Sequence, residues 1–401
     1  MRDDLQRKPN RRSRFVGAAL VWGLSLIPAI SATPKASAQT FKTLYAFTGG
    51  ADGGGPWGTP LLSGGILYQT TFYGGNSSAN DAGTVFEFLT TTLTGSYLYQ
   101  FAGQPFDGSS PMGGLITDGF GDFFGTTTQG GFSLRGTIYE ISQGSEVVVT
   151  NFNGQNGDTP EGSLFIDAVG NLYGTTSNGG TNDSGTVFAF SVDGSFVQLY
   201  NFGDYKGDGI GPASSVLLHQ GVLYGVTTEG GTYGWGTVFS VNVKTKAEAI
   251  LYDFRGGPKG GTPVGGLALD GKGNLYGTAS AGGSANQNAG NGVIFMLNIK
   301  SQQYTVVHTF TGADGSQPLA ALVSDGQGNF YGTTNAGGAK GYGTVFELNS
   351  AGTLTTLYSF TNGTDGAYPY AGVTLDSSGN IYGAATRGGQ YGWGTLFEIT
   401  P

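Results

Sequence analysis

The chain has 401 residues, 76 of them glycine and none cysteine, which excludes disulfides, thiolate metal sites, Cys nucleophiles and a lipidated N-terminus. Seven of its 18 basic residues but only two of its 27 acidic residues fall in residues 1–38, so residues 39–401 carry a net charge of −14. So acidic a surface repels phosphate backbones, which argues against nucleic acid and for solubility, neutral glycans or cations.

Residues 1–38 read as a secretory signal. Arg2, Arg7, Lys8, Arg11, Arg12 and Arg14 make a basic start, residues 15–30 are apolar but broken by Pro28, and Ala36-Ser37-Ala38 is a small-residue cleavage pattern. The apolar run falls short of the roughly 20 residues that a comfortable bilayer span needs. The mature chain is expected to begin at Gln39, with no membrane span of its own. Arg11-Arg12 leaves a twin-arginine route open, and a retained N-terminal anchor is the alternative. An extracellular or periplasmic monomer is expected. Without disulfides it must be held by its core, and residues 39–401 are enough to build one.

From residue 41 onward one repeat recurs. Its first copy is an outer-strand sequence, Phe41-Lys42-Thr43-Leu44-Tyr45-Ala46-Phe47. Gly-Thr-Val-Phe and its variants follow at residues 83–86, 136–139, 185–188, 236–239, 292–295, 343–346 and 394–397, with starts 53, 49, 51, 56, 51 and 51 residues apart. Seven markers at so even a period indicate a repeat architecture. Each period holds four strand-like runs. The innermost is expected to begin at a proline and continue with small residues, as in Pro111-Met112-Gly113-Gly114-Leu115. The second is Leu172-Tyr173-Gly174-Thr175-Thr176 and its relatives, the third is the marker, and the outermost ends in Phe.

These runs predict an all-β, seven-bladed β-propeller with four antiparallel strands per blade. The last blade lacks an outer strand and the mature N-terminus has one to spare. Residues 41–47 are therefore expected to pair with residues 394–399 and close the ring, hiding both edges. A β-helical solenoid is the competing architecture, but its coils are usually shorter than this repeat. Residues 1–38 are then the signal peptide and residues 39–401 one propeller domain.

The pattern Asn171-Leu172-Tyr173-Gly174-Thr175-Thr176, then Gly179-Gly180, then Gly185-Thr186-Val187-Phe188, resembles the GloVer-type tandem repeat of bacterial choice-of-anchor tandem-repeat proteins. Related copies run from residue 41 to 400. The resemblance implies a secreted or surface bacterial protein and assigns no reaction, ligand or catalytic residue. Members often carry a C-terminal sorting anchor; here the repeat runs to the end at Pro401, which is read as favouring release.

The long loops, those that lead into strand one and those that join strands two and three, are expected on one face, where function usually resides. Asp52, Asp107, Asp158, Asp208, Asp314 and Asp365 precede the prolines. The repeated Asp-Gly reads first as turn chemistry. A carboxylate ring for a cation, Ca²⁺ by its preference for oxygen ligands, is the sharper alternative; no other cofactor is expected. Candidate ligand contacts are the residues that vary between copies: Trp57, Tyr73, Asn178, Glu229, Tyr233, Trp235, Tyr342, Arg387, Tyr391 and Trp393. Flat aromatic faces beside amides suit sugar rings, whereas folding back over the blades is the structural alternative. His219 and His308 read as ordinary surface residues. If the chain is an enzyme, Asp158, Glu161 and Glu229 are the candidate carboxylates, since glycosidases need two acids about 5–10 Å apart. The reading favoured is a non-catalytic recognition or scaffold protein whose partner is a glycan or other extracellular polymer. A carbohydrate-active hydrolase or lyase and a protein-binding adhesive module are the alternatives.

Overall fold

A computed structural model describes residues 39–75, 81–103, 105–284 and 290–400. The expected signal at residues 1–38 lies outside the described residues. Each repeat folds as an antiparallel sheet whose middle strands are apolar or threonine-rich on both faces, as suits sheets packed between neighbours. In one such blade Phe165–Ile166, Leu172–Thr176, Thr186–Phe190 and Phe196–Asn201 pair in order, and every residue of Leu172–Thr176 is buried. Seven sheets of this kind, six with four strands and blade 1 with Gly54–Pro56 added to its four, make a seven-bladed β-propeller. They are numbered here by their third strands: Thr84–Leu89 in blade 1, Thr137–Ser142, Thr186–Phe190, Thr237–Asn242, Val293–Asn298, Thr344–Leu348, and Thr395–Thr400 in blade 7. Among the described residues no helix is long and apolar enough to cross a membrane.

The N-terminal strand closes the ring. Thr40–Ala46 pairs antiparallel with Thr395–Thr400, from Thr40 opposite Thr400 to Ala46 opposite Thr395, and the Phe47 N–H donates to the Gly394 carbonyl at 3.0 Å. That is the predicted pairing, and it leaves blade 7 with the same four strands as the others.

The innermost strands differ from expectation. They span only two or three residues, as in Ile116–Thr117 and Ala268–Leu269, and begin several positions after the proline. The proline-led runs themselves are irregular backbone. Proline has no N–H to give a ladder, and glycine pairs weakly in strands. Their carbonyls are bonded from the side instead. Thr70, Thr126, Thr175, Thr278 and Thr333 on the second strands donate their hydroxyls to Gly113, Gly162, Ser214, Ala320 and Ala371 of the next blade, at 2.7–3.2 Å.

Two further contacts recur at the seven interfaces, and a third recurs inside five of the blades. The Phe that ends each outer strand meets the aromatic residue of the next blade's third strand, with centroids 5.0–5.4 Å apart, from Phe47–Phe86 round to Phe360–Phe397. The marker glycine takes φ of +88° to +99°, and a Cβ there would stand 2.5–2.8 Å from the Cδ of the next blade's proline. Glycine and proline are thus two halves of one contact, with glycine needed both for φ and for space.

The third contact lies within the blade. Thr176 Oγ1 donates to the Asn178 carbonyl at 2.9 Å and shares a 2.9 Å hydrogen bond with Thr186 Oγ1; four other blades repeat the pair. Blade 5 replaces both partners, with Ala279 opposite Val293. A lone Thr176→Ala change should cost about 1–3 kcal/mol, because it strands a buried donor and a carbonyl. The double change Thr176→Ala with Thr186→Val, which copies blade 5, should cost clearly less than the two single changes summed. Denaturant midpoints of the double-mutant cycle measure this; strict additivity would show that the pair has no coupling.

Candidate functional site

Both sets of long loops come together on one face. The loop that leads into each blade pairs with the loop joining strands two and three of the same blade: Gly54 with Tyr73, Ser109 with Gln129, Asp158 with Asn178, Ile210 with Glu229, Gly261 with Ala281, Ser316 with Ala336, and Ala367 with Arg387. The variable positions therefore occupy equivalent places in a ring.

Inside that ring is a second one. The residues before the prolines, namely Gly55, Ser110, Thr159, Gly211, Thr262, Gln317 and Tyr368, all take φ between +52° and +67°. Each N–H donates to a carbonyl of the preceding blade, from Trp393 in the case of Gly55 to Tyr342 in the case of Tyr368, at 2.7–3.1 Å. A left-handed conformation costs a non-glycine residue roughly 1–2 kcal/mol, and such strain survives only where surrounding contacts enforce it.

This backbone turn delivers the three residues after each proline into an axial channel, where they line a cavity of about 90 Å³. The tier nearest the loop face is Trp57, Met112, Glu161, Ala213, Val264, Leu319 and Tyr370; the tiers below are small residues. Trp57 and Tyr370 have centroids 4.7 Å apart, Trp57 and Phe72 5.3 Å, Phe72 and Tyr73 4.7 Å, and Tyr73 and Trp393 6.1 Å. Five rings so form an arc from the channel mouth outward over blades 7 and 1. Tyr73 and Trp393 are 42% and 41% exposed at its outer end.

Of the sequence candidates, Trp57, Tyr73 and Trp393 come together in this arc. Trp235 and Trp393 hold the same repeat position, and each lies over the next blade's loop. A Cβ at Gly256 or Gly261 would come within 2.9 Å of Trp235, and one at Gly49 or Gly54 within 2.8 Å of Trp393. The capping role weighed from sequence is thus real for both, although Trp393 stays exposed. Tyr233 forms a separate group on blade 4, with the Arg255 guanidinium 4.6 Å above its ring. Tyr342 stands edge-on to Tyr368 at 5.5 Å, while Tyr391, Arg387 and Glu229 are exposed on the loops.

The six aspartates are brought to equivalent places but not to one another. Asp52, Asp107, Asp208 and Asp365 each accept a phenol hydrogen bond from an outer-strand tyrosine, Tyr45, Tyr99, Tyr200 and Tyr358, at 2.9–3.0 Å, together with backbone N–H bonds from their own loops. In the remaining blades the partner varies. Asp314 pairs with His308 at 2.9 Å, and Asp158 is held by Arg135 and by the Thr159 hydroxyl. Where the aspartate is missing, in the blade 5 loop, Tyr252 stacks on Tyr304 at 3.7 Å instead. Among the described residues no three acidic or histidine side chains gather as a cation site. His308, read as an ordinary surface residue, is thereby part of a structural clasp.

Glu161 is the residue whose setting the sequence least revealed. Burial raises its pKa, against the opposing effect of a bond from Ser177. Tyr370 is raised by burial and then by the Glu161 charge. Ser177 Oγ lies 2.9 Å from Glu161 Oε1 and 3.0 Å from the Thr159 carbonyl, and Asn178 Nδ2 donates to it at 3.3 Å. In other blades the matching hydroxyl serves the carbonyl, as Thr128 does Ser110 and Thr228 does Gly211. One hydroxyl proton cannot serve both acceptors. Here Ser177 can turn its proton to the Glu161 carboxylate instead, and that bond opposes the effect of burial.

A family model described as the Gloeobacter/Verrucomicrobia repeat matches residues 31–234, 143–322 and 211–401. No curated protein matches the chain. Among solved structures, the extracellular domain of a hybrid two-component system from B. thetaiotaomicron is similar with TM-score 0.58 at 10% identity, covering 89% of this chain and 39% of that one. An oligogalacturonate lyase from Vibrio parahaemolyticus follows with TM-score 0.54 at 10% identity, covering 90% of this chain and 97% of that one. An oligogalacturonate lyase in complex with manganese has TM-score 0.53 at 9% identity, covering 84% and 86%. At such identities the likeness is one of fold.

Proposed function

The chain belongs to the Gloeobacter/Verrucomicrobia repeat family, and we propose that it is an exported recognition protein that binds a glycan at the aromatic mouth of its channel. The observation that carries this reading is the arc of Tyr370, Trp57, Phe72, Tyr73 and Trp393, which runs from a polar, small-residue channel to exposed rings. Concave sites with apolar faces and a few placed polar groups are where ligands bind, and pyranose rings offer flat C–H faces to stack on aromatic rings. Export rests on the signal-like residues 1–38. Cleavage of the glycan has less support: Asp158 is engaged by Arg135, and Glu229 stands exposed on another blade.

Residues 39–401 should bind selectively to some member of a broad polysaccharide panel. Tyr73→Ala and Trp57→Ala should each weaken that binding about tenfold or more, as expected of anchoring aromatics. Tyr73 is exposed, so its variant keeps the test independent of folding. A blank panel with folded protein would move the reading to protein adhesion, and release of soluble fragments would move it to catalysis.

A further inference from the structure

The channel mouth has two unlike walls. Blades 7 and 1 present Tyr370 and Trp57, ring against ring. Blade 3 presents the Glu161 carboxyl, three blades round from Tyr370 and so on the far wall. Glu161 is flanked in the ring by Met112 of blade 2 and by the small Ala213 of blade 4. Among the described residues that line the cavity, Glu161 is the one charged group and Tyr370 the only other titratable one.

The fold does not require this carboxyl. The other six blades place Trp57, Met112, Ala213, Val264, Leu319 and Tyr370 at the same position and close equally well. Burial disfavours its charge, and a half-desolvated acid without a structural task marks a functional site. An acidic glycan would meet Glu161 as a like charge, with no Lys or Arg in the lining to receive it. A neutral sugar would use only its hydrogen-bonding capacity. An ammonium group satisfies both walls, pairing with the carboxylate and lying against aromatic faces, and the −14 net charge of residues 39–401 steers cationic polymers inward.

Resting on the glycan reading above, we propose that the ligand is an amino-sugar polymer with free amino groups. Glu161 takes the ammonium of one 2-amino-2-deoxyhexose unit, while Trp57 and Tyr73 stack on neighbouring units. Ser177 keeps Glu161 oriented, and Asn178 keeps Ser177 oriented.

The test is calorimetric titration of residues 39–401 with three hexamers: glucosamine, N-acetylglucosamine and glucose in β-1,4 linkage. The glucosamine hexamer should bind about tenfold or more tightly than its acetylated form. Glu161→Gln, which keeps shape and hydrogen bonding, should shrink that preference to about twofold without weakening the acetylated hexamer. If Glu161→Gln retains the full preference, net charge alone attracts the polymer and the inference is overturned. If a neutral hexamer binds as well as the cationic one, the inference fails and the glycan reading stands. Binding of none of the three, nor of any glycan on the broad panel, overturns both.

Discussion

Phe47→Ala is expected to destabilise the protein by about 3–5 kcal/mol, a large part of the usual 5–15 kcal/mol total, and to free the strand that closes the ring. Phe47 is fully buried, with Tyr45 at 5.3 Å and Phe86 at 5.2 Å between ring centroids, in a cluster that also holds Leu67, Phe88 and Leu396. The equivalent Phe202 makes the same contact with Phe239 at 5.0 Å, but its strand is joined to the propeller at both ends. Among the described residues, Thr40–Ala46 is joined to the propeller only at its C-terminal end, so it can open without breaking another blade. Phe47→Ala should therefore raise amide exchange across residues 40–47 far above that of residues 196–202 in Phe202→Ala, at similar loss of denaturant midpoint. Opening also bares the edge of Thr395–Thr400, so aggregation should rise in Phe47→Ala and less in Phe202→Ala. Equal exchange in the two variants would show that ring closure is no weaker than any other interface.

Much of this architecture was legible because the repeat states it seven times. The markers, the terminal outer strand and the loop face all followed from order and spacing. What the repeat could not show was which motifs touch. Marker glycine and following proline were both visible, yet their contact joins different blades, as Gly394 does to Pro56 across the closure. Positions that depart from the repeat were harder still, because their compensation lies elsewhere in the sheet. Six blades hold a glycine under the third-strand aromatic, as at Gly174, where a Cβ would stand 2.5 Å from Phe188 Cζ. Blade 1 has buried Gln69 there, whose Nε2 donates to the carbonyls of Gly58 and Thr70 at 2.8 Å. The glycine has moved to Gly95 on the outer strand, where a Cβ would be 2.2 Å from Phe86 Cζ. Glu161 was visible only as an odd acid after a proline; its meaning came from the channel that seven distant prolines build.

Two more departures from the repeat lead to the second large effect. Glu146 and Glu248 stand on outer strands opposite Ile141 and Val241, where other blades put Phe41, Phe196, Tyr304 or Leu354. Those rings stack, Phe41 on Tyr358 and Tyr304 on Tyr252, both at 3.7 Å. A carboxyl in the same slot is half-desolvated, and the Oε1 of each glutamate has no hydrogen-bond partner. Burial and then the Asp107 charge push Glu146 up to about 8. Burial and then the Asp208 charge push Glu248 up to about 7, although the Tyr205 phenol donates to it. Both values exceed the unfolded value of 4.5, so between the two the folded state holds protons that the unfolded state has lost. Stability from this source is complete below pH 4.5 and is lost as pH rises through 7 and 8. Asp365 works in the opposite sense. Its burial is outweighed by bonds from Thr361 and Tyr358 that hold its carboxyl below the usual range, so its contribution disappears only in stronger acid. The protein should be most stable in mildly acidic solution. Glu146→Gln and Glu248→Gln should each add about 1–2 kcal/mol at pH 8.5, after allowance for solvent screening of partly exposed groups, and almost nothing at pH 4.5. Guanidinium midpoints at the two pH values measure the difference. A gain of the same size at both would mean that the glutamine packs better in the slot and that the charge does not set the stability.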